Sequence, residues 1–224
     1  ITAIVDTREN PKQTSAYNTN IITNGRIIDT QGRLGIRSFT LSTGKKIEAD
    51  CLAVSGGWNP NIHLTCHHGG RPSWREDIGA FIPGNSLPTG MSVAGAANGI
   101  LTLAAVVNDG HSAGLTAADE LDFGAPNSKP PKAEDEDQEI EVFWHVKETT
   151  KRAWIDLQND VTTKDVEIAH REGFKSVEHL KRYTTLGMAT DQGKTANVLG
   201  IGVLAECSGK SIKETGTTTF RPPY

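Results

Sequence analysis

The sequence predicts an α/β fold in two parts, a strand-rich first part and a mostly helical second part. Short apolar runs separated by turn residues dominate the first 123 residues. After residue 140, apolar residues recur at helical spacing. Between the two parts, residues 124–139 (GAPNSKPPKAEDEDQE) lack large apolar side chains. Such a segment cannot offset its ordering entropy by burial, so we predict domains 1–123 and 140–224 joined by a surface linker, 124–139.

The first part is predicted to contain five short strands and one helix. The run ITAIV predicts a strand that ends at Asp6-Thr7-Arg8, and residues 25–57 predict three strands with turns at Gln31-Gly32 and Thr43-Gly44. The third of these, Ala49–Ser55, is continuously apolar, as expected of a buried parallel strand. A further buried strand is predicted at Met91–Ala94. Residues 100–121 then predict a helix.

The second part is predicted to begin with one strand, EIEVFWHV, and to continue as three helices. Thr162 or Thr163 can cap the first helix, which Gly173 ends. Ser176 can cap the second, which Gly187 ends. The last helix is predicted in NVLGIGVLAECSG, whose small residues allow close packing.

Composition excludes several classes of protein. The 224 residues carry a formal net charge of −4, which argues against a nucleic-acid partner, and no apolar run approaches the roughly 18 residues of a membrane span. The cysteines Cys51, Cys66 and Cys207 are odd in number and far apart, so we expect free thiols, buried for Cys51 and Cys207, and a cytoplasmic protein. The Ile at position 1 and the abrupt end predict a piece of a longer protein.

The segment GMATDQGKT resembles a phosphate-binding loop, but its spacing is wrong for one. Five residues rather than four separate Gly187 from Gly193, and the preceding segment is predicted to be a helix rather than a strand. One extra residue breaks the register of the backbone N–H groups that would face a phosphate. We therefore predict a turn between two helices here.

Two glycine-rich turns predict a dinucleotide site in the first part. Gly56 and Gly57 follow the predicted strand 49–55, and AGAANG lies between a predicted strand and a helix N-terminus. Glycine allows close approach of a ligand, and a helix N-terminus offers N–H groups to a pyrophosphate. A purely steric role for the glycines is the alternative. The candidate contacts with the dinucleotide are Gly56, Gly57, Gly95, Ala96 and Ala97. Asp6-Thr7-Arg8 are expected near its ribose. Leu101 and Leu103 are expected either against a nicotinamide or adenine ring or in the ordinary core.

The segments ADCLAVSGGWNPN and VAGAANG resemble the closing part of the Rossmann-like, FAD/NAD(P)-binding disulfide-reductase-like fold. In that fold the second motif carries an acid after its glycine, where this sequence has Ala96. The resemblance therefore implies a dinucleotide-binding region in which NAD, rather than FAD, is bound.

Residues 157–195 and 214–224, together with the first part, are similar to the alpha subunit of heterotetrameric sarcosine oxidase. The resemblance implies oxidative demethylation of sarcosine to glycine, formation of H₂O₂ and transfer of the one-carbon unit to tetrahydrofolate. It implies NAD in this subunit, FAD and FMN elsewhere in the complex, and beta, gamma and delta subunits as partners. It also implies a folate-binding domain after residue 224. No catalytic residues are expected in residues 1–224.

The second part also resembles the small [2Fe–2S] module of bacterioferritin-associated ferredoxin. The cysteine positions of that module align with Asp156, Gln158, Asp191 and Ala196, none of which is Cys. Because such clusters are held by thiolates, we expect no iron–sulfur cluster and no metal site.

Two alternative functions remain open from the sequence. The second part can be a non-catalytic docking module, or the chain can belong to a related amine or opine dehydrogenase. His145, His170 and His179 have no partner at matching spacing and are expected at the surface or in packing. The acidic run Glu134–Asp137 is expected to be a solvated part of the linker rather than a partner site.

Overall fold

The computed structural model describes residues 1–11, 19–124, 126–135 and 137–222. Within these ranges the fold is mixed α/β, which confirms the predicted class. The strands are β1 (Ile4–Val5), β2 (Ile21–Ile22), β3 (Ile27–Gln31), β4 (Ser38–Leu41), β5 (Lys46–Glu48), β6 (Ser73–Arg75), β7 (Ala80–Ile82), β8 (Trp154–Asp156) and β9 (Val161–Thr162). The helices are α1 (His63–Cys66), α2 (Leu103–Glu120), α3 (Thr163–Arg171), α4 (Val177–Thr184), α5 (Asn197–Ser208) and α6 (Ile212–Thr215).

The strands of the first part form small separate sheets rather than one wide sheet. Strands β1 and β2 pair in parallel, and β3, β4 and β5 form an antiparallel meander. Strand β4 lies in the middle of the meander and buries Phe39 and Leu41, so alternate residues of this strand face the interior. The turn between β4 and β5 contains Gly44 at φ 82°, as the Thr43-Gly44 pattern predicts.

Three predicted strands are absent from the described residues, and the reason is the same for each. Residues 49–55, 91–94 and 139–146 adopt no regular secondary structure. A strand needs at least one hydrogen-bonded neighbour, and none of the described strands pairs with these segments. Val54 is 80% exposed and Cys51 is also exposed, so the prediction of a buried Cys51 is wrong.

Helix α2 confirms the predicted helix at 100–121, but none of its side chains is buried. Leu103 is 53% exposed despite the apolar character of the first turn. A Cβ placed on Gly110 or Gly114 would have no described atom from another part of the chain within 4 Å. The described remainder of this chain therefore leaves Leu103 exposed and covers the other large apolar side chains of the helix only in part.

The main core surrounds helix α5. Its segment VLGIGVLA is apolar on every face, which is the pattern of a helix enclosed by others, and most of its residues are buried. Helices α3 and α6 pack against it, and α4 packs against α3. Gly200 lies against the Leu186 side chain and Gly202 against the Trp144 ring. Because glycine has no side chain, these two large groups can pack directly on the backbone of α5.

Residues of the first part also enter this core. Ile62 and Phe81 belong to the same buried cluster as the residues of α3, α4 and α5. The ring centroids of Trp74 and Phe81 lie 5.0 Å apart, and those of Trp74 and Trp144 lie 6.2 Å apart. The hairpin of β6 and β7 is thus joined to the helical part by aromatic contacts.

Ion pairs attach the segment after the linker to its surroundings. The Arg8 guanidinium donates to the Glu139 carbonyl at 2.9 Å, and Arg26 pairs with Glu148 at 2.7 Å. The Glu206 carboxylate of α5 lies 3.0 Å from the Lys147 ammonium and 3.3 Å from His145 Nδ1. The His145 ring therefore lies beside a carboxylate that its sequence spacing does not indicate, and its Nδ1 forms no hydrogen bond among the described residues.

Local signals place the N-terminal caps of α3 and α4 correctly, whereas the predicted end of α4 at Gly187 is two residues too late. The Asp165 carboxylate accepts hydrogen bonds from the backbone N–H and hydroxyl of Thr162, which identifies Thr162 rather than Thr163 as the cap of α3. Ser176 accepts from the His179 N–H at 3.3 Å and caps α4. Helix α4 ends at Thr185, which has φ 63°, two residues before the predicted Gly187.

The substitution Gly202→Ala tests the packing of α5. A methyl group at this position runs into the Trp144 ring, so we expect the free energy of unfolding to fall by about 1–3 kcal/mol. The matched control is Gly114→Ala in α2, where the methyl group meets no described atom and stability should rise by about 0.5–1 kcal/mol. Thermal and urea denaturation measure both; equal effects of the two substitutions would contradict the packing described here.

Candidate functional site

The predicted contacts Gly56 and Gly57 lie in an exposed, irregular segment between β5 and α1. A Cβ at either position would meet no described atom within 4 Å, and Gly57 has φ 103°. The backbone here is therefore open to a close approach from outside. Because residues 49–55 form no strand, these glycines do not lie at the carboxyl end of one, contrary to the prediction.

The second predicted turn is rigidly held. Gly95–Asn98 forms a 3₁₀ turn flanked by Gly95 at φ 65° and Gly99 at φ 74°. The Asp109 carboxylate of α2 accepts the Gly95 N–H at 2.7 Å, and Arg75 donates to the Gly99 carbonyl at 3.3 Å. The Gly95 N–H is thus already bonded within the protein. Asp109 fixes the turn to the helix that follows it, a role that nothing in its local sequence indicates.

The N-terminus of α2 follows this turn, and no described side chain caps it. The first N–H groups of a helix have no intrahelical acceptor and carry the positive end of its dipole. Ala96 and Leu103 are exposed beside it, while Ala97 and Leu101 are partly buried. Residues 95–103 thus form one continuous turn-and-helix surface. Among the residues that the structure describes, no hydrogen bond joins this surface to Gly56–Gly57.

The carboxylate predicted near a ribose is engaged by its neighbour. Asp6 accepts from Arg8 Nε at 3.0 Å, Nη2 at 2.7 Å and the backbone N–H at 2.9 Å. The side-chain hydrogen bond from Arg8 holds the pKa of Asp6 below its ordinary value. The Asp6–Arg8 pair therefore stabilises the end of β1, and a ligand would have to compete with Arg8 for this carboxylate.

In the second part, Asp156 joins two loops. Its Oδ1 accepts the N–H groups of Gln158 at 2.9 Å and Asn159 at 3.1 Å, and its Oδ2 accepts the N–H of Gly187 at 2.8 Å. The side chain is 3% exposed, so these bonds satisfy a carboxylate that burial would otherwise make costly. The hydroxyl of Thr190 also donates to Gln158 Oε1 at 3.0 Å.

Asp191 organises the GMATDQGKT loop from within. Its carboxylate accepts the Gly193 N–H at 3.0 Å, the Thr195 hydroxyl at 2.9 Å and the Thr195 N–H at 3.3 Å. Burial pushes the pKa of Asp191 upward, but these hydrogen bonds outweigh it and the pKa lies below its ordinary value. A carboxylate occupies the N–H groups that a phosphate would need, which supports the turn interpretation.

The glycines of this loop are needed for space as well as for conformation. Gly187 and Gly193 have φ of 64° and 76°, and a Cβ on either would collide with the amide of Asn197. Asn197 is 2% exposed and donates to the Gln192 carbonyl at 3.3 Å. The loop is therefore closed onto the start of α5.

The positions aligned with cluster cysteines carry internal hydrogen bonds instead of free ligands. Within the described ranges, no group of three or more His, Cys, Asp or Glu side chains could hold a metal ion. All three cysteines are free, and Cys66 is buried. Cys207 is partly buried in α5, and burial raises the pKa of its thiol. Over the same residues, no helix combines the length and apolar character needed to cross a bilayer.

Comparison with known proteins finds similarity to subunits named sarcosine oxidase. Residues 150–224 match the family model of the sarcosine oxidase A3 domain. The sarcosine oxidase subunit alpha of Rhizobium meliloti (strain 1021) is 38% identical over 229 residues, covering 100% of this chain and 23% of the relative. That of Corynebacterium sp. (strain U-96) is 37% identical over 192 residues, covering 82% of this chain and 20% of the relative.

A solved structure supports the fold over nearly the whole chain. The L-proline dehydrogenase from P. horikoshii superimposes with a TM-score of 0.73 at 19% identity, covering 99% of this chain and 47% of that one. The chain belongs to the sarcosine oxidase alpha subunit family. It spans about a fifth to a quarter of the length of the curated relatives it matches.

Replacing Asp191 with Asn should destabilise the loop in a pH-dependent manner. Loss of the charged acceptor should lower the free energy of unfolding by about 1 kcal/mol at neutral pH. Because the folded-state pKa is lowered, this stability is present above the ordinary aspartate pKa and is lost as the pH falls through the folded-state value. Urea denaturation between about pH 7 and pH 3 measures it. The control Asp50→Asn, at an exposed carboxylate, should change little, and a pH-independent effect of Asp191→Asn would contradict this role.

Iron and acid-labile sulfide analysis tests the prediction of no cluster. The purified protein should contain neither in stoichiometric amount, because Asp156 and Asp191 accept backbone hydrogen bonds where thiolates would be required. Iron and sulfide at one cluster per chain would overturn this interpretation.

Proposed function

We propose that this chain is the segment of a sarcosine oxidase alpha subunit that completes a dinucleotide-binding domain and supports it on a helical domain. The whole-length similarity to proteins named as that subunit supports the family role. The structural neighbour is named as a dehydrogenase of L-proline, which like sarcosine is a secondary amine. Both names concern oxidation of an amino acid whose nitrogen carries a second carbon substituent.

In the assembled enzyme, sarcosine is oxidised to glycine, O₂ is reduced to H₂O₂ and the one-carbon unit passes to tetrahydrofolate. We assign NAD to this subunit, FAD and FMN to other parts of the complex, and tetrahydrofolate to a domain after residue 224. The partners are the beta, gamma and delta subunits in the cytoplasm. This segment supplies binding and scaffolding and no acid, base or nucleophile.

The observation that carries the NAD proposal is the uncapped N-terminus of α2 directly after the glycine turn. We assign Gly95, Ala96 and Ala97 to contact with the pyrophosphate side of NAD, because small residues leave the helix start accessible. The Gly95 N–H is bonded to Asp109, so the first-turn N–H groups of α2 would bind the phosphate oxygens. Bound NAD supplies a nicotinamide ring that can accept a hydride.

The uncovered apolar surface favours completion of this domain by another part of a longer chain. Leu101 and Leu103 are assigned to the edge of the NAD site, and Gly56 and Gly57 to its other wall. Five large apolar side chains near these segments are more than half exposed: Val54, Trp58, Leu103, Leu121 and Phe123. We assign these exposed apolar side chains to contact with that further part of the chain. The relatives extend well beyond the region that this chain matches.

Titration of the full-length subunit with NAD tests this proposal. We expect saturable binding that Gly56→Leu weakens at least tenfold, because the new side chain fills space open to a ligand while its Cβ meets no described atom of the folded chain. Gly35→Leu is the matched control, since Gly35 is likewise exposed with no described atom near its Cβ position. Equal NAD affinity in both variants, or binding of FAD in place of NAD, would contradict the assignment.

A second candidate is a related amine dehydrogenase in which the helical part is only a docking element. The structural neighbour favours the dehydrogenase. The carboxylates of Asp156 and Asp191 accept hydrogen bonds from within the chain, which favours a docking role for the helical part. Turnover of the assembled complex with sarcosine, proline, dimethylglycine and opines distinguishes these. The main proposal requires sarcosine to give the highest kcat/KM and H₂O₂ to form in equal amount with glycine.

A further inference from the structure

A cavity of about 560 Å³ lies where three separate segments of the chain meet. Its lining comes from Cys66–His68 after α1, from Gln192 in the loop before α5, and from Thr219–Pro222 near the end of the chain. None of these residues belongs to the glycine turns assigned to NAD. The volume is in the range of small-molecule binding sites.

Buried neighbours hold each wall of this cavity in place. Ile62 and Cys66 are buried at the two ends of α1, and the Thr65 hydroxyl donates to the Ile62 carbonyl at 2.6 Å. The ring centroid of Phe220 lies 5.8 Å from that of Phe81 in the core. The polar residues of the lining are therefore carried on backbone that the core has already positioned, which lowers the entropic cost of binding.

The tail that forms the third wall has a second attachment. Thr218, directly before the lining residue Thr219, is buried, and its hydroxyl donates to the Glu178 carboxylate of α4. Thr219 and Arg221 remain exposed on either side of the anchored Phe220. The tail thus presents an exposed hydroxyl and an exposed guanidinium on the two sides of an anchored ring.

The charge of the lining has one sign. Apart from the Cys66 thiol, its ionisable side chains are His67, His68 and Arg221, and no carboxylate of the described residues lines the cavity. Burial lowers the pKa of the nearby His63, and the positive charges of Lys194 and His67 lower it further. The Arg221 guanidinium is therefore the permanent charge of the lining, and the histidine rings add N–H donors beside it.

The donors in the cavity suit an oxyanion with several oxygens. Arg221 offers a planar set of five N–H groups, the histidine rings offer further N–H donors, and Thr219 offers a hydroxyl. A phosphate group can accept all of these hydrogen bonds at once and pair with the Arg221 charge, whereas a single carboxylate has fewer oxygen atoms to accept them.

We propose that this cavity binds the phosphate group of a small ligand, either free phosphate or a phosphate monoester. Arg221 contacts the phosphate oxygens from the tail, and His67 and His68 contact them from the opposite wall. The inference does not rest on the NAD proposal, because the two assignments share no residue.

Calorimetric titration of the intact protein with inorganic phosphate and, separately, with a nucleoside monophosphate tests the proposal. We expect Arg221→Gln and His67→Gln each to weaken binding about tenfold, since each removes a charge-assisted hydrogen bond. Lys213→Gln is the matched control, because Lys213 is an exposed cation of the same C-terminal region outside the cavity. Gly56→Leu should leave this binding unchanged, which separates it from the NAD site.

The outcomes are decisive in each arm. A loss in both arms supports a site that recognises the phosphate itself, and a loss with the monoester alone supports one that requires the organic part. No phosphate-dependent heat in either arm, or equal affinity in Arg221→Gln, His67→Gln and the control, would overturn the proposal. Both variants replace exposed side chains, and unchanged thermal melting confirms that they remain folded.

Discussion

The enclosure of α5 is the constraint on which the rest of the structure depends. A helix that is apolar on all sides is stable only when neighbours remove every face from water, and each large apolar side chain so buried contributes about 1.5–3 kcal/mol. The close approach of Leu186 and Trp144 requires Gly200 and Gly202. Ile62 and Phe81 extend the same core into the first part of the chain. The contact of Phe81 with Phe220 also positions the tail that lines the cavity beside α1.

The two parts of the chain differ in how completely their polar groups are hydrogen-bonded and their apolar side chains are buried within the described residues. Around α5, even the polar loops close on internal partners, with Asp156 bonded across to Gly187 and Asp191 bonded within its own loop. At the two ends of α2, Leu103 and Leu121 are more than half exposed, and the Asp109 carboxylate accepts the N–H of Gly95. The second part thus satisfies its polar groups within the described residues, whereas the first part leaves large apolar side chains in contact with solvent.

Local features could be predicted from the sequence, and features that depend on distant partners could not. A cap at Thr162 or Thr163 and a cap at Ser176 could be predicted because capping acts over three or four residues, and the structure selects Thr162. The apolar run 49–55 indicated a strand, but a strand requires neighbours, and none of the described strands pairs with it. Asp109 and Asp156 act on residues 14 and 31 positions away, and the cavity joins segments around residues 67, 192 and 221, so spacing carried no signal for either.

The chain is attached to the rest of the fold on both sides of the described linker residues 126–135. Helix α2 defines the chain up to residue 120, and the contacts of Arg8 with Glu139 and of Arg26 with Glu148 fix the chain again on the far side. Between two fixed ends, the cost of a longer flexible connection grows only logarithmically, by about 0.6 kcal/mol for each doubling of length. Natural selection can therefore lengthen, shorten or rewrite this stretch at little thermodynamic cost, and a reporter sequence inserted there should leave both ends of the chain where they are.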